Sequence, residues 1–189
     1  MPKSSIEEKN SAINWEKYGH LFKVITVPAK TILLCEGDIS RHGYFIKEGC
    51  LRLWFNNKGK DVTFQFFFEN EGVSSIESFR SGEPSLFSIE TIETSTLYVI
   101  SKRNFEKISA DDPAYRAILQ ETIYKRLTHY SKLFMSYIKN TPEERYQELL
   151  ANNPHIVKRV PQHYIASYLG ITSVSLSRIR NRNRTADFS

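Results

Sequence analysis

The sequence predicts an α+β chain in three successive parts: an antiparallel sandwich or barrel, one long helix, and a carboxyl-terminal helix-turn-helix. Three observations carry that expectation. Between Lys23 and Ile108 short β-rich runs are broken by turn residues. Between Ala114 and Ile138 apolar residues recur every three or four positions with no Gly or Pro inside. After Gln162, small, glycine and apolar residues fall at the spacing that two steeply crossing short helices require.

A chain of 189 residues is long enough for one core and a smaller companion domain. Its longest apolar runs, such as QFFFE, fall far short of the ~20 residues that cross a bilayer. MPKSSIEEKN lacks the apolar segment of a signal peptide, so a cytoplasmic protein without membrane partners is expected. Cys35 and Cys50 are too few for a disulfide framework and form no CxxC pair. That argues against a cysteine-held iron–sulfur cluster or an all-cysteine zinc site within one subunit, and buried reduced thiols are expected. His20, His42, His129, His155 and His163 are scattered, so neither metal nor cofactor is expected.

The amino-terminal INWEKYGHLF reads as helical. The strands follow as VITV, TILL, YFIKEG, LRLWF, VTFQFFF, SLFSIETIE and TLYVIS. Leu51, Leu53 and Phe55 share one face opposite Arg52 and Trp54, and NNKGK reads as a hairpin loop in which Gly59 supplies a positive φ. RNFEKI is again helical. The long helix then carries Tyr115, Leu119, Ile123, Leu127, Tyr130, Phe134 and Ile138 as its stripe, with Asp111 or Asp112 as cap and Pro113 in the first turn. Ile118, Tyr124, Leu133 and Tyr137 widen the stripe beyond what one sheet covers, which favours a dimer helix over packing within one subunit.

Thr141, Pro142 and Glu144 form a capping box that starts a new helix running to about Leu150, leaving Lys139 and Asn140 as a hinge. The segment HIVKRVPQ is expected as a short strand or helical turn. Counted from Gln162, Ala166 then stands at place five, Gly170 at nine, Leu176 at fifteen and Ile179 at eighteen. Ile165, Leu169 and Ile171 fill the remaining inward places, and Thr172 caps the second helix.

The outer face of that helix holds Ser173, Val174, Ser175, Ser177, Arg178, Asn181 and Arg182. Arginine can donate two hydrogen bonds to the O6 and N7 of guanine, and hydroxyls at a helix start can meet phosphate. Charge agrees. The chain has 26 basic and 21 acidic residues; six of the basic ones, against Asp187 alone, lie between His155 and Ser189, so residues 1–154 are neutral. Arg180, Arg182 and Arg184, with Lys158 and Arg159, are placed to contact phosphates. The plainer alternative is a helical hairpin with a basic, solvated face.

A β-roll, a long helix, a hinge and a terminal helix-turn-helix with the wording IASYLGIT..SLSRIR resemble the Crp/Fnr superfamily, that of the cyclic AMP receptor protein and the fumarate and nitrate reduction regulator. The resemblance is strongest in the last 30 residues and in the YFIKEG turn around Gly49. It implies a cyclic-nucleotide-binding-like jelly roll over residues 1–110, a dimerisation helix and hinge over 111–139 and a DNA-binding domain over 140–189. It further implies a homodimer that reads a palindromic operator in double-stranded DNA and regulates transcription, with RNA polymerase as a further partner. By position, Ser173, Val174 and Arg178 correspond to base-contacting places, and Thr172 and Ser175 to phosphate-contacting ones. Well-studied members carry charged residues where this chain has Ser173 and Val174, so a different operator is implied; Val174 could meet a thymine methyl. The chain ends soon after this helix, so no wing hairpin is expected there.

Members that bind cyclic nucleotides hold the phosphate with a buried arginine and a neighbouring serine, and the ribose with a glutamate. In GVSSIESFRSGEPSLFSIE the resemblance puts Glu77 at the ribose glutamate and Ser85 at the serine, but Pro84 at the arginine. From Asp61 to Ile100 there are seven acids and one base, Arg80, so a phosphodiester would enter a negative field unless Arg80 swung inward. A different, unknown small-molecule effector, or none, is expected. The alternatives are a cAMP-responsive regulator, a cupin-like small-molecule enzyme, for which the strands supply only His42, and a basic RNA scaffold, disfavoured because the aromatics lie away from the arginines.

Overall fold

A computed structural model describes residues 14–186, and the side chains of residues 14–182; MPKSSIEEKN, Ile13 and Asp187 lie outside them. In chain order the elements are α1 (Trp15–Tyr18), a 3-10 turn (Gly19–Leu21), β1 (Phe22–Val27), β2 (Ile32–Leu34), β3 (His42–Glu48), β4 (Leu51–Asn57), β5 (Lys60–Phe67) and β6 (Gly72–Val73). There follow α2 (Ile76–Ser81), β7 (Ser88–Thr91), β8 (Ser95–Ser101), α3 (Lys102–Asp111), α4 (Pro113–Lys139), α5 (Pro142–Asn152), α6 (Pro154–Arg159), α7 (Gln162–Tyr168) and α8 (Ser173–Ala186). The chain divides into two compact units. One comprises residues through Arg52 with Phe67–Leu127, and the other Leu53–Phe66 with the residues from Thr128 onward.

The strands form two four-stranded sheets, β1-β8-β3-β6 and β2-β7-β4-β5, in a jelly-roll-like arrangement. β8 pairs antiparallel with both β1 and β3, and β2 with β7. Ile46, Leu51, Ile89 and Leu97 are wholly buried between the sheets. The YFIKEG turn depends on glycine: Gly49 has φ 115°, and a Cβ there would lie 2.2 Å from Ser95 Oγ. Further along, the NNKGK hairpin closes with Lys58 and Gly59 both at positive φ, and Asn56 Oδ1 accepts the Gly59 N–H at 2.8 Å. Trp15 packs on the outer face of the β1-β8-β3 sheet, its ring 4.3 Å from that of Tyr98 and 5.0 Å from that of Phe22.

β7 departs from the alternating pattern, because all four of its residues are buried although three are polar. Each polar one has a partner. Ser88 Oγ accepts the Glu36 N–H at 2.9 Å, Thr91 Oγ1 donates to the Pro28 carbonyl at 2.8 Å, and Glu90 pairs with Arg52. The acidic tally of residues 61–100 therefore overstates the field, since Glu90 is neutralised by an arginine from outside that window. The cysteine expectation holds for Cys50, which is buried, and not for Cys35, which is exposed on the loop after β2.

Asp112 Oδ1 accepts the Tyr115 N–H at 3.1 Å, which selects Asp112 over Asp111 as the cap of α4. No residue of this helix is fully buried. Its half-buried side chains include Tyr115, Leu119, Arg126, His129, Tyr130 and Leu133, whereas Tyr124, Leu127, Phe134 and Ile138 stand out on another face. Arg126 donates to the Gly72 carbonyl and lies 4.9 Å over the Phe67 ring. α5 begins with the full capping box of Thr141 and Glu144; of HIVKRVPQ, His155–Arg159 fold into α6 with Pro154 at its start, Val160 is extended, and Gln162 opens α7. Among the described residues no helix is long and apolar enough to cross a membrane.

Candidate nucleic-acid interface

α7 and α8 cross where Ala166 is only 1% exposed, and Ile165, Leu169, Leu176 and Ile179 are buried around that crossing. α7 ends in a Schellman turn: the Ile171 N–H bonds the Ala166 carbonyl at 2.9 Å and the Gly170 N–H bonds the Ser167 carbonyl at 3.0 Å. Gly170 has φ 69°, and a Cβ there would come within 3.2 Å of the Tyr137 ring. Thr172 then caps α8, its Oγ1 accepting the Ser175 N–H at 3.2 Å.

With the inward face so fixed, Thr172, Ser173, Val174, Ser177, Arg178 and Arg182 are exposed; Val174, at 62%, is a large apolar side chain facing water. Ser175 and Arg180 are half-buried, and Ser175 Oγ lies 3.0 Å from Thr172 Oγ1. Arg182 Nη1 is 3.7 Å from Glu143 Oε2, both side chains being exposed. Such a pair is worth about 0–1 kcal/mol, so a phosphate could displace the carboxylate. Arg184 lies on α8, but its side chain is outside those described.

Sequence reasoning missed the residues that hold the turn between these helices. Ser167 Oγ accepts the Thr63 N–H at 2.9 Å and donates to the Asp61 carbonyl at 2.7 Å. The Tyr168 ring lies 5.3 Å from Phe66, and the Tyr168 carbonyl accepts the Tyr137 hydroxyl. Arg145 donates to the Leu169 carbonyl at 2.9 Å and to the Asn140 carbonyl at 2.7 Å, with its guanidinium 4.7 Å over the Tyr137 ring. The spacing marks Tyr137 only as part of an apolar flank, and nothing local signals what its hydroxyl meets.

The residues matched to an effector pocket differ in their exposure. Glu77 and Arg80 on α2 are exposed, the Arg80 carbonyl accepting from Lys102 Nζ at 3.0 Å. Ser85 is buried, its hydroxyl 2.7 Å from the Phe87 carbonyl and 2.9 Å from Ser75 Oγ. Ser78 Oγ likewise accepts the Ser40 N–H at 2.9 Å and donates to the Glu83 carbonyl at 2.5 Å. Among the described residues no three His, Cys, Asp or Glu side chains are grouped to hold a metal.

Residues 24–112 match the family described as the cyclic nucleotide-binding domain. The uncharacterized protein MJ0345 of Methanocaldococcus jannaschii is 26% identical over 155 residues, which is 79% of this chain and 48% of that protein. The chain thus spans about half the length of this curated relative. A double mutant of CooA from Carboxydothermus hydrogenoformans superposes with TM-score 0.76 at 18% identity, over 98% of this chain and 86% of its own. A protein from Eubacterium rectale described as a transcriptional regulator of the crp/fnr family gives TM-score 0.70 at 16% identity, over 97% and 85%. These likenesses show the fold.

Proposed function

We propose that the chain, whose residues 24–112 match the cyclic nucleotide-binding domain and whose fold is that of a crp/fnr-type regulator, is a sequence-specific DNA-binding transcription regulator of the Crp/Fnr kind acting as a homodimer. Residues 1–110 form the sensor part, 111–139 the dimerisation helix and hinge, and 140–189 the DNA-binding part. The observation that carries this reading is the exposed face of α8, basic and hydroxyl-bearing, beside a turn whose other side is fully buried. Ser173, Val174 and Arg178 read base edges in the major groove; Thr172, Ser175, Ser177, Arg180, Arg182 and Arg184 hold phosphates. The protein is not an enzyme, works in the cytoplasm and engages RNA polymerase.

The second copy is recruited by α4. Tyr124, Leu127, Phe134 and Ile138 are each more than 60% exposed and follow one another at spacings of three, seven and four, the period of a two-helix seam. The jelly roll does not take cyclic AMP. The hydroxyl of Ser85 is turned to partners inside the roll, Pro84 offers no donor, and Glu77 and Arg80 face water. An effector of other chemistry, or none, sets the state of the dimer.

Fragmented genomic DNA mixed with the purified protein at near-physiological salt tests this reading. Recovery of a palindrome with half-sites about one helical turn apart is expected. Recovery of fragments with no shared sequence, at an affinity that merely tracks salt, would reduce the protein to a non-specific polyanion binder.

A further inference from the structure

The jelly roll carries a cavity of about 560 Å³ on the connection from β2 to β3, and none of Glu77, Arg80, Pro84 and Ser85 lines it. That volume lies within the roughly 300–1,000 Å³ of small-molecule sites. Its apolar part is made by Ile32, Leu34, Ile39 and Tyr44. Leu34 and Tyr44 are buried, whereas Ile32 and Ile39 remain 49% and 45% exposed, so two branched side chains meet water there. The walls are held in place. The Tyr44 hydroxyl donates to the Leu33 carbonyl at 3.0 Å, which fixes the ring. Along the loop the Gly37 N–H bonds the Ser85 carbonyl at 2.8 Å, the Asp38 carbonyl accepts the Ser85 N–H at 2.8 Å, and the Ser40 N–H bonds Ser78 Oγ at 2.9 Å. The Arg41 carbonyl then accepts the Lys102 N–H at 3.1 Å. A loop tied at Gly37, Asp38, Ser40 and Arg41 leaves little ordering for a ligand to impose.

Two opposite charges stand on that loop. Asp38 and Arg41 both line the cavity and are exposed, and among the described residues neither side chain forms an ion pair. The Arg41 guanidinium offers a fork of donors to a carboxylate, and the ring of His42, next in sequence and also on the lining, can add a further N–H. The Asp38 carboxylate attracts a cation. It would also repel the second charge of a dicarboxylate or a phosphate ester. We propose that the cavity binds a free α-amino acid with an apolar side chain. Arg41 takes the carboxylate, Asp38 takes the ammonium group, and Ile32, Leu34, Ile39 and Tyr44 cover the side chain. Such a ligand carries all three features on one small frame, and its entry displaces water from the two exposed isoleucines.

The claim is one of binding alone and its test contains no DNA, so it stands or falls apart from the DNA-reading function. Cys35 lines the same cavity and is exposed, whereas Cys50 is wholly buried, so iodoacetamide on the native full chain reports Cys35 alone. L-Leucine should slow that reaction saturably, and isothermal titration should give the same midpoint. 4-Methylpentanoate, which lacks the ammonium group, and 3-methylbutylamine, which lacks the carboxylate, should each need about tenfold more to protect, the loss of one charge-assisted contact. Arg41→Gln and Asp38→Asn should raise the leucine midpoint by a similar factor. Arg41→Gln should leave the midpoint of the amine unmoved, and Asp38→Asn that of the pentanoate. Both side chains are exposed, so both variants should fold, with an unreactive Cys50 as the check; the analogue series on wild-type protein decides the ligand class without them. Protection by none of leucine, isoleucine, methionine and phenylalanine at about 10 mM, tenfold above a millimolar Kd, would overturn the site. Equal protection by leucine and the pentanoate would overturn the amino-acid assignment, as would a leucine midpoint unchanged in both variants.

Discussion

Arg52 on β4 and Glu90 on the neighbouring β7 form a buried ion pair, with Nη2 and Nε at 2.6 and 2.7 Å from Oε2 and side chains 3% and 9% exposed. Two charges this far from water depend on each other. Removing one leaves the other buried without its counter-charge, which costs about 3–5 kcal/mol, whereas replacing both by apolar residues of similar size is often near neutral. Glu90→Gln should therefore lower the urea midpoint strongly, and the double variant Arg52→Met/Glu90→Leu should regain most of the stability. If the double variant is as unstable as the single one, the destabilisation does not come from an orphaned charge.

The exposed seam of α4 makes a prediction about assembly. Phe134 is 65% exposed, and a second copy of the helix would cover it. Phe134→Glu should place opposed carboxylates at the seam and convert the protein to a monomer in sedimentation at micromolar concentration. Lys132→Glu, off the seam, should leave the dimer intact. A wild-type protein that sediments as a monomer would remove the seam's purpose.

Where sequence spacing is tied to short-range geometry it was legible. The Thr141 and Glu144 capping box, the Gly170 turn and the buried Ala166, Leu176 and Ile179 all stand where their positions in the sequence place them. The stripe of α4 was legible only in part. Successive four-residue steps such as Tyr115, Leu119, Ile123 and Leu127 advance about 40° each around a helix, so one apparent stripe divides between a packed face and an exposed one. Long-range polar partners were not legible. Arg52 alternates with Leu51 and Leu53, and nothing local announces that its own face is also covered and holds a glutamate 38 residues away. Ser167 has the same character: a small polar residue on a short helix gives no sign of a strand 104 residues earlier.

At the interface, Arg178 and Arg180 should separate specificity from affinity. Arg178 is exposed on the outer face of α8, the proposed reading face, and Arg180 is half-buried. Arg178→Ala should lose about 1–3 kcal/mol of discrimination at one base pair of each half-site, measured against singly substituted duplexes. Arg180→Ala should weaken all duplexes alike and make log K less steep against log salt, by about 1 in slope for each phosphate the arginine neutralises. An Arg178→Ala protein whose ranking of duplexes is unchanged would move that residue from base reading to phosphate binding.

Tyr168 gives the fold a dependence on alkaline pH whose sign follows from its surroundings. Its ring is 8% exposed, and burial, with smaller contributions from Tyr137 and Tyr130, pushes its phenol up to about 12 from an ordinary 10. The neutral, protonated form is the one the fold prefers. Below pH ~10 both folded and unfolded chains keep the proton and the stabilisation is complete. Between pH ~10 and ~12 the unfolded chain ionises first, so stability falls as pH rises, by about 2–3 kcal/mol in total for this one group. Lysines and other tyrosines titrate in the same window, so the comparison is with Tyr168→Phe, which keeps the ring beside Phe66 and removes the ionising hydroxyl. Urea unfolding at pH 9 and pH 11.5 should show a smaller drop in stability for Tyr168→Phe than for the wild type. Equal drops would mean that the ring is solvated in solution and that the packing of α7 on β5 is not maintained there.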